Sequence, residues 1–195
     1  MTIPLMYKKK RGFTLVEALV ASSIFLVILS IMYGIYASGL DIWGTGRYKA
    51  ELQAAARLAL ERMVSELRQT TRTSTQNPSP NLTIPSVPNN KQVLFYLPQD
   101  KNGDGYITDA NGNVEWDTNS QIRYRYVPGQ KELRRDVGGE HIVLAQDVLD
   151  VQFFDITVDP TLAIDEVRIN LTLEKMTPRQ RRISVTLSSV VALRN

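Results

Sequence analysis

Between residues 100 and 111, oxygen-bearing side chains fall at alternate positions: Asp100, Asn102 and Asp104, then Gly105, Tyr106, Ile107, Thr108, Asp109 and Asn111. Hard divalent cations are held by ligands spaced in this way. Side-chain oxygens come from the first, third and fifth positions, a main-chain carbonyl from the seventh, and a glycine at the sixth allows the sharp turn. Counted from Asp100, that carbonyl belongs to Tyr106, and Ile107 is the apolar residue that ties such a loop to a core. The pattern departs at its twelfth position, where Asn111 stands in place of a bidentate glutamate. Closure then falls to Asp109, Asn111 or Glu115. No helical pattern flanks the loop. Calcium suits these ligands better than magnesium, which demands octahedral geometry and shorter bonds, and the missing bidentate ligand sets affinity at about 10⁻⁴–10⁻³ M. Asp, Asn and Gly also favour plain turns for conformational reasons alone, so a simple turn cluster competes with the cation reading.

Glu17 is the second residue with chemical potential. It precedes 20 residues without a charge, Ala18 to Ala37. A helix of that length spans roughly 30 Å, the thickness of a bilayer's hydrocarbon core. An ionised carboxylate costs about 2.5–3.5 kcal/mol at mid-membrane. A place near the helix N-terminus softens that cost. Two readings follow: an interfacial glutamate at the membrane edge, or a carboxylate that pairs with a cation inside an assembly. Lys8, Lys9, Lys10 and Arg11 precede the run, which predicts a cytoplasmic N-terminus and an outside C-terminus. A secretory signal peptide would have a shorter apolar core and a small-residue cleavage site before Asp41. A retained transmembrane helix fits better.

The remaining chemistry is sparse. No cysteine is present, which excludes disulfides, thiol catalysis and Cys-ligated zinc. His141 is the single histidine, with no Ser, Asp or ligand spacing around it, and reads as a surface or strand-edge residue. Nothing resembles a nucleotide loop or a paired-carboxylate active site, so the sequence does not describe an enzyme. The formal net charge of +3 suggests nucleic acid until its distribution is considered. Residues 1–12 carry four bases and no acid, and the other 183 residues hold 19 bases against 20 acids. Arg123, Arg125, Arg134, Arg135, Arg179, Arg181 and Arg182 are candidates for a basic face. The acidic balance of the remainder and the strand alternation of Arg123 and Arg125 argue against nucleic acid as a partner.

The elements that position these residues follow from periodicity. Leu52, Ala56, Leu60, Met63 and Leu67 recur at helical spacing, with Glu51, Arg57, Glu61, Arg62 and Glu66 around them. No proline interrupts Phe13 to Thr71, which predicts one long helix, broken at most near Gly34, Gly39 or Gly44–Gly46. Residues 70–91, with Pro78, Pro80, Pro85 and Pro88, read as a long extended surface loop. Strands follow at Val93–Leu97, Ile122–Tyr126, Glu132–Arg135, His141–Leu144 and Val148–Asp155. Two more alternate through Val167–Leu173 and Ile183–Leu187. The fold class is α+β: a long N-terminal helix packed on an antiparallel sheet.

Lys8-Lys9-Lys10-Arg11-Gly12 followed by Phe13-Thr14-Leu15-Val16-Glu17 resembles the leader of type IV prepilins and type II secretion pseudopilins. The resemblance covers about 25 residues and implies the following. A membrane prepilin peptidase cuts after Gly12 and methylates the new N-terminal residue, giving N-methyl-Phe13. Glu17 pairs with the N-terminal amine of a neighbouring subunit. Where many family members place a helix-kinking proline in the apolar run, this chain has Gly34. The implied organisation is a cytoplasmic basic leader over 1–12, a transmembrane and filament-core helix over 13–37, and an extracytoplasmic pilin-like domain over 38–195. The implied location is the inner membrane, single-pass, and then a filament of sibling pilins or pseudopilins. A looser similarity runs from the tyrosine-rich strand through "ELRRD" and "LAQDV" to "VQFFDI", toward PilW-like minor pilins and J-type pseudopilins. It implies a structural subunit that initiates or tips the filament. The other implied role is a tip module for adhesion, DNA uptake or exported-protein capture.

Overall fold

A computed structural model describes residues 14–72 and 81–194. Helix α1 runs Leu15–Leu67 without a break at any of its glycines. The chain divides into two compact units after Gly44. In the first unit, α1 carries its apolar side chains exposed. In the second, Leu52, Ala56, Ala59, Leu60, Met63 and Leu67 are buried, as the helical stripe predicts.

Eight strands complete the second unit. They are β1 Leu82–Thr83, β2 Gln92–Phe95, β3 Ile122–Val127, β4 Glu132–Val137, β5 Glu140–Ala145, β6 Val148–Phe154, β7 Glu166–Met176 and β8 Arg182–Ala192. Every pairing is antiparallel. The strands form two sheets, one of order β1-β2-β3-β4-β5 and one of order β6-β7-β8. Alternation explains which side of each strand is buried. Val93, Phe95, Ile122, Tyr124 and Leu133 of the first sheet turn inward, as do Val151, Phe153, Val167, Ile169, Leu171, Leu173 and Val185 of the second. These residues join the α1 stripe in one apolar cluster, where the Phe95 and Tyr124 rings lie 5.5 Å apart.

The β4–β5 hairpin turns on two residues, because Val137 pairs with Glu140. Gly138 and Gly139 both have positive φ, at 57° and 92°. Two-residue hairpins whose twist matches the strands require that geometry, and glycine adopts it without strain.

The expected loop over 70–91 contains more structure than its composition suggests. Residues 73–80, including Pro78 and Pro80, lie outside the described residues. Beyond them β1 adds to the first sheet. Asn90 is buried and ties the approach to β2 onto the second sheet: its Nδ2 donates to the Phe153 carbonyl, and Phe153 N donates back to the Asn90 carbonyl.

Candidate functional site

The start of α1 is built from its own residues. Glu17 Oε2 accepts from both the Thr14 amide and the Thr14 hydroxyl at 2.9 Å, and Glu17 N donates to Thr14 Oγ1 at 3.3 Å. This reciprocal arrangement is a capping box, which satisfies two donors that the first helical turn leaves without partners. The carboxylate also lies where the helix dipole favours negative charge. Glu17 therefore has a local role in starting the helix, which the sequence reading did not include. Gly12, Phe13 and the basic residues 8–11 lie outside the described residues.

Beyond the cap, Leu19, Ile24, Phe25, Leu26, Ile28, Ile31, Met32 and Ile35 are all exposed, from 49% to 70%. Ser22 and Ser23 are two of the run's polar interruptions. Their hydroxyls donate to the Leu19 carbonyl at 2.9 and 2.6 Å, so both are satisfied within the helix. The segment is long and apolar enough to cross a membrane, and none of it is buried within the protein. An exposed apolar surface of this extent marks a membrane or protein contact.

The candidate cation loop is held by its own carboxylates. Asp100 accepts from Gly103 N at 2.7 Å and from Gly105 N at 2.8 Å. Asn102 Oδ1 accepts from Asp104 N, and Asp104 Oδ1 accepts from Tyr106 N. Asp109 accepts from the backbone and side-chain amides of Asn113 and from the Asn111 amide, which hold its carboxyl below the usual range, and Glu115 accepts from Lys101 N. Gly103 and Gly105 sit at positive φ, as the tight turns require. Among the described residues, no group of three or more His, Asp or Glu is gathered as a metal would need.

Arg123, Arg125 and Arg134 share the outer side of the first sheet, but each has a carboxylate partner, and Arg135 lies on the opposite side. Arg123 and Arg125 both pair with Asp136, Arg134 pairs with Glu132, and Arg135 pairs with Glu66. His141 is exposed on β5, the edge of the first sheet, as expected.

Glu66 is a residue that sequence reasoning did not single out. Named there only among the residues around the apolar stripe of α1, it is 6% exposed. It accepts from Arg62 Nε at 2.7 Å, Arg135 Nε at 2.8 Å and the Tyr124 hydroxyl at 2.8 Å. Burial by itself would raise its pKa, but the hydrogen bonds from Arg135, Tyr124 and Arg62 outweigh burial and hold the carboxyl below its ordinary value. Burial and the Glu66 charge push the Tyr124 hydroxyl up, so it stays protonated as the donor. This network fixes α1 to the first sheet.

A family model for the prokaryotic N-terminal methylation motif matches residues 7–33. No curated protein and no solved structure matches the chain. The chain thus carries the processing signal of type IV pilin-like proteins on an α+β body with one apolar N-terminal helix. The motif implies processing by prepilin peptidase and assembly with other pilins. With the exposed apolar helix, it fits anchoring in the inner membrane.

Proposed function

We propose that this chain is a minor pilin or pseudopilin, a structural subunit of a type IV pilus or type II secretion pseudopilus that acts in filament initiation or at the tip. The observation that carries this reading is the methylation motif over residues 7–33, followed directly by an exposed apolar helix. The basic tag holds the leader in the cytoplasm, the apolar segment sits in the bilayer, and the peptidase cuts between Gly12 and Phe13. After the cut, Phe13 becomes the methylated first residue. A methylated amine remains cationic, so Glu17 of one subunit can pair with it in a neighbour. Such a pair is costly to break and so penalises a wrong stagger of the helices. The PilW-like or J-type assignment rests on the similarity of the β3–β6 region alone.

Mass spectrometry of the membrane-extracted protein tests the reading. The expected mature chain begins at methyl-Phe13. Recovery of an intact chain beginning at Met1 from cells with active peptidase refutes it.

A further inference from the structure

Within the first compact unit, aromatic side chains that carry a polar atom occur only toward the outer end of α1. Between Leu15 and Met32 the single aromatic residue is Phe25, and Tyr33, Tyr36 and Trp43 then follow. All three are exposed, Trp43 at 70%. Rings that are apolar in body and polar at one end favour the layer of lipid headgroups, where one end is dry and the other wet.

The uncharged run does not stop at Ala37. It continues through Ser38, Gly39 and Leu40, and the first charge is Asp41. Leu40, Ile42 and Trp43 are all exposed and fan around one side of α1. Asp41 is two residues from Trp43 and so about 200° around the helix from it, on the other side. The first compact unit ends at Gly44, and the next charge, Arg47, already pairs with Glu51 on exposed surface. The lengths agree with this boundary. From Glu17 to Trp43 the helix rises about 39 Å, close to the roughly 40–45 Å of a bilayer with its headgroups. A helical side chain lies over the turn before its own Cα, so the Trp43 indole reaches back to the level of Leu40, where the uncharged run ends.

We infer that α1 stays in the membrane as far as Trp43, with Leu40, Ile42 and Trp43 docked in the headgroup layer of the leaflet facing away from the cytoplasm, and with Asp41 turned to water. The inference rests on the membrane-anchored reading above and moves the outer limit of the span beyond Ala37 to Trp43. It also fixes the depth of the helix. Sliding α1 toward the cytoplasm drags Asp41 into hydrocarbon, and sliding it outward strips Trp43 from the lipid.

The test uses the full chain reconstituted in phosphatidylcholine vesicles. Flotation with the vesicles after an alkaline wash checks the anchor. Trp116 is 4% exposed, inside the second unit, so the emission lost in Trp43→Phe is the signal of Trp43. That signal is expected at shorter wavelength than indole in water, with weak quenching by aqueous acrylamide. Lipids brominated near the headgroup are expected to quench it more strongly than lipids brominated at the chain end. Flotation with Trp43 open to acrylamide and untouched by either brominated lipid puts the bilayer edge at Ala37 and overturns the inference alone. Equal or stronger quenching from the chain end overturns it too, because Trp43 then lies in hydrocarbon. Shielding from acrylamide without lipid quenching, rising with the protein-to-lipid ratio, assigns the surface to a second helix and overturns it as well. Failure to float refutes the membrane anchor, and the inference falls with it.

Discussion

Replacing Glu66 with alanine removes the acceptor from three donors at once. The Tyr124 side chain is fully buried and the Arg135 side chain is 15% exposed, so neither hydroxyl nor guanidinium gains water freely in exchange. Removal of one partner from a buried ion pair costs about 3–5 kcal/mol, because the remaining charge is left uncompensated. Arg62 contributes little to that cost, since its side chain is 55% exposed and solvent takes the place of the lost contact. Tyr124→Phe deletes a single hydrogen bond to a charged group and leaves both arginines on Glu66, at a cost of about 1.5–3 kcal/mol. For a unit of this size, each kcal/mol moves Tm by about 2–4 °C. Glu66→Ala should therefore lower Tm by about 6–20 °C, and Tyr124→Phe by less. The assay is thermal and urea unfolding of the Thr45–Asn195 unit, with agreement between probes checked first. The double variant should lose less than the sum of the two single losses, because both act on one network. A loss below about 1 kcal/mol in Glu66→Ala, or strict additivity, would refute the argument that the network ties the helix to the sheet.

Three further outcomes follow from the same geometry. Glu17→Gln should leave membrane insertion and the outer unit intact but reduce co-purification with the sibling subunit below. Thr14→Ala, which breaks the cap at a cost of about 0.5–2 kcal/mol while keeping the carboxylate, should not reduce it, and an equal defect would reassign the effect to the cap. The Glu66 carboxyl is held below the ordinary value of 4.5, so its stabilising contribution is present above that value and lost as pH falls through its folded-state pKa. Glu66→Gln should therefore show a flatter loss of stability in acid than the unmodified unit, and parallel acid profiles would contradict this. At 10 mM calcium, a site with Kd of about 1 mM adds about 1.4 kcal/mol, or roughly 3–6 °C in Tm, and Asp100→Ala with Asp104→Ala should abolish the shift. No shift in the unmodified unit leaves residues 100–111 as a hydrogen-bonded turn.

Where burial follows a single period, the sequence is legible. The α1 stripe and the alternation of Ile122 with Tyr124 both identify core residues that the structure buries. Glu66 escapes because its residue type gives no sign of burial: it lies three residues after Met63, on the buried side, and its charge is compensated by Arg62 on its own helix and by Arg135 and Tyr124 from strands far along the chain. No local pattern contains such a long-range partner. The division into two sheets is hidden for a related reason. β5 and β6 are separated by only Gln146 and Asp147, a spacing that suggests a hairpin, yet the two strands belong to different sheets. β1 is two residues long, too short for any period to show. The side-chain oxygens of residues 100–111 were visible as types, but their use on the loop's own amides depends on backbone geometry.

Both members of the helix cap, Thr14 and Glu17, lie on the same side of the Gly12–Phe13 bond. Hydrolysis of that bond removes neither partner of the Thr14–Glu17 hydrogen bonds. On the proposed reading, one helix serves consecutively as the membrane anchor of the precursor and as the packing element of the processed subunit. On the proposed processing, proteolysis is a change of charge and length next to the cap: it discards the cluster of bases and leaves a single amine one residue ahead of Thr14.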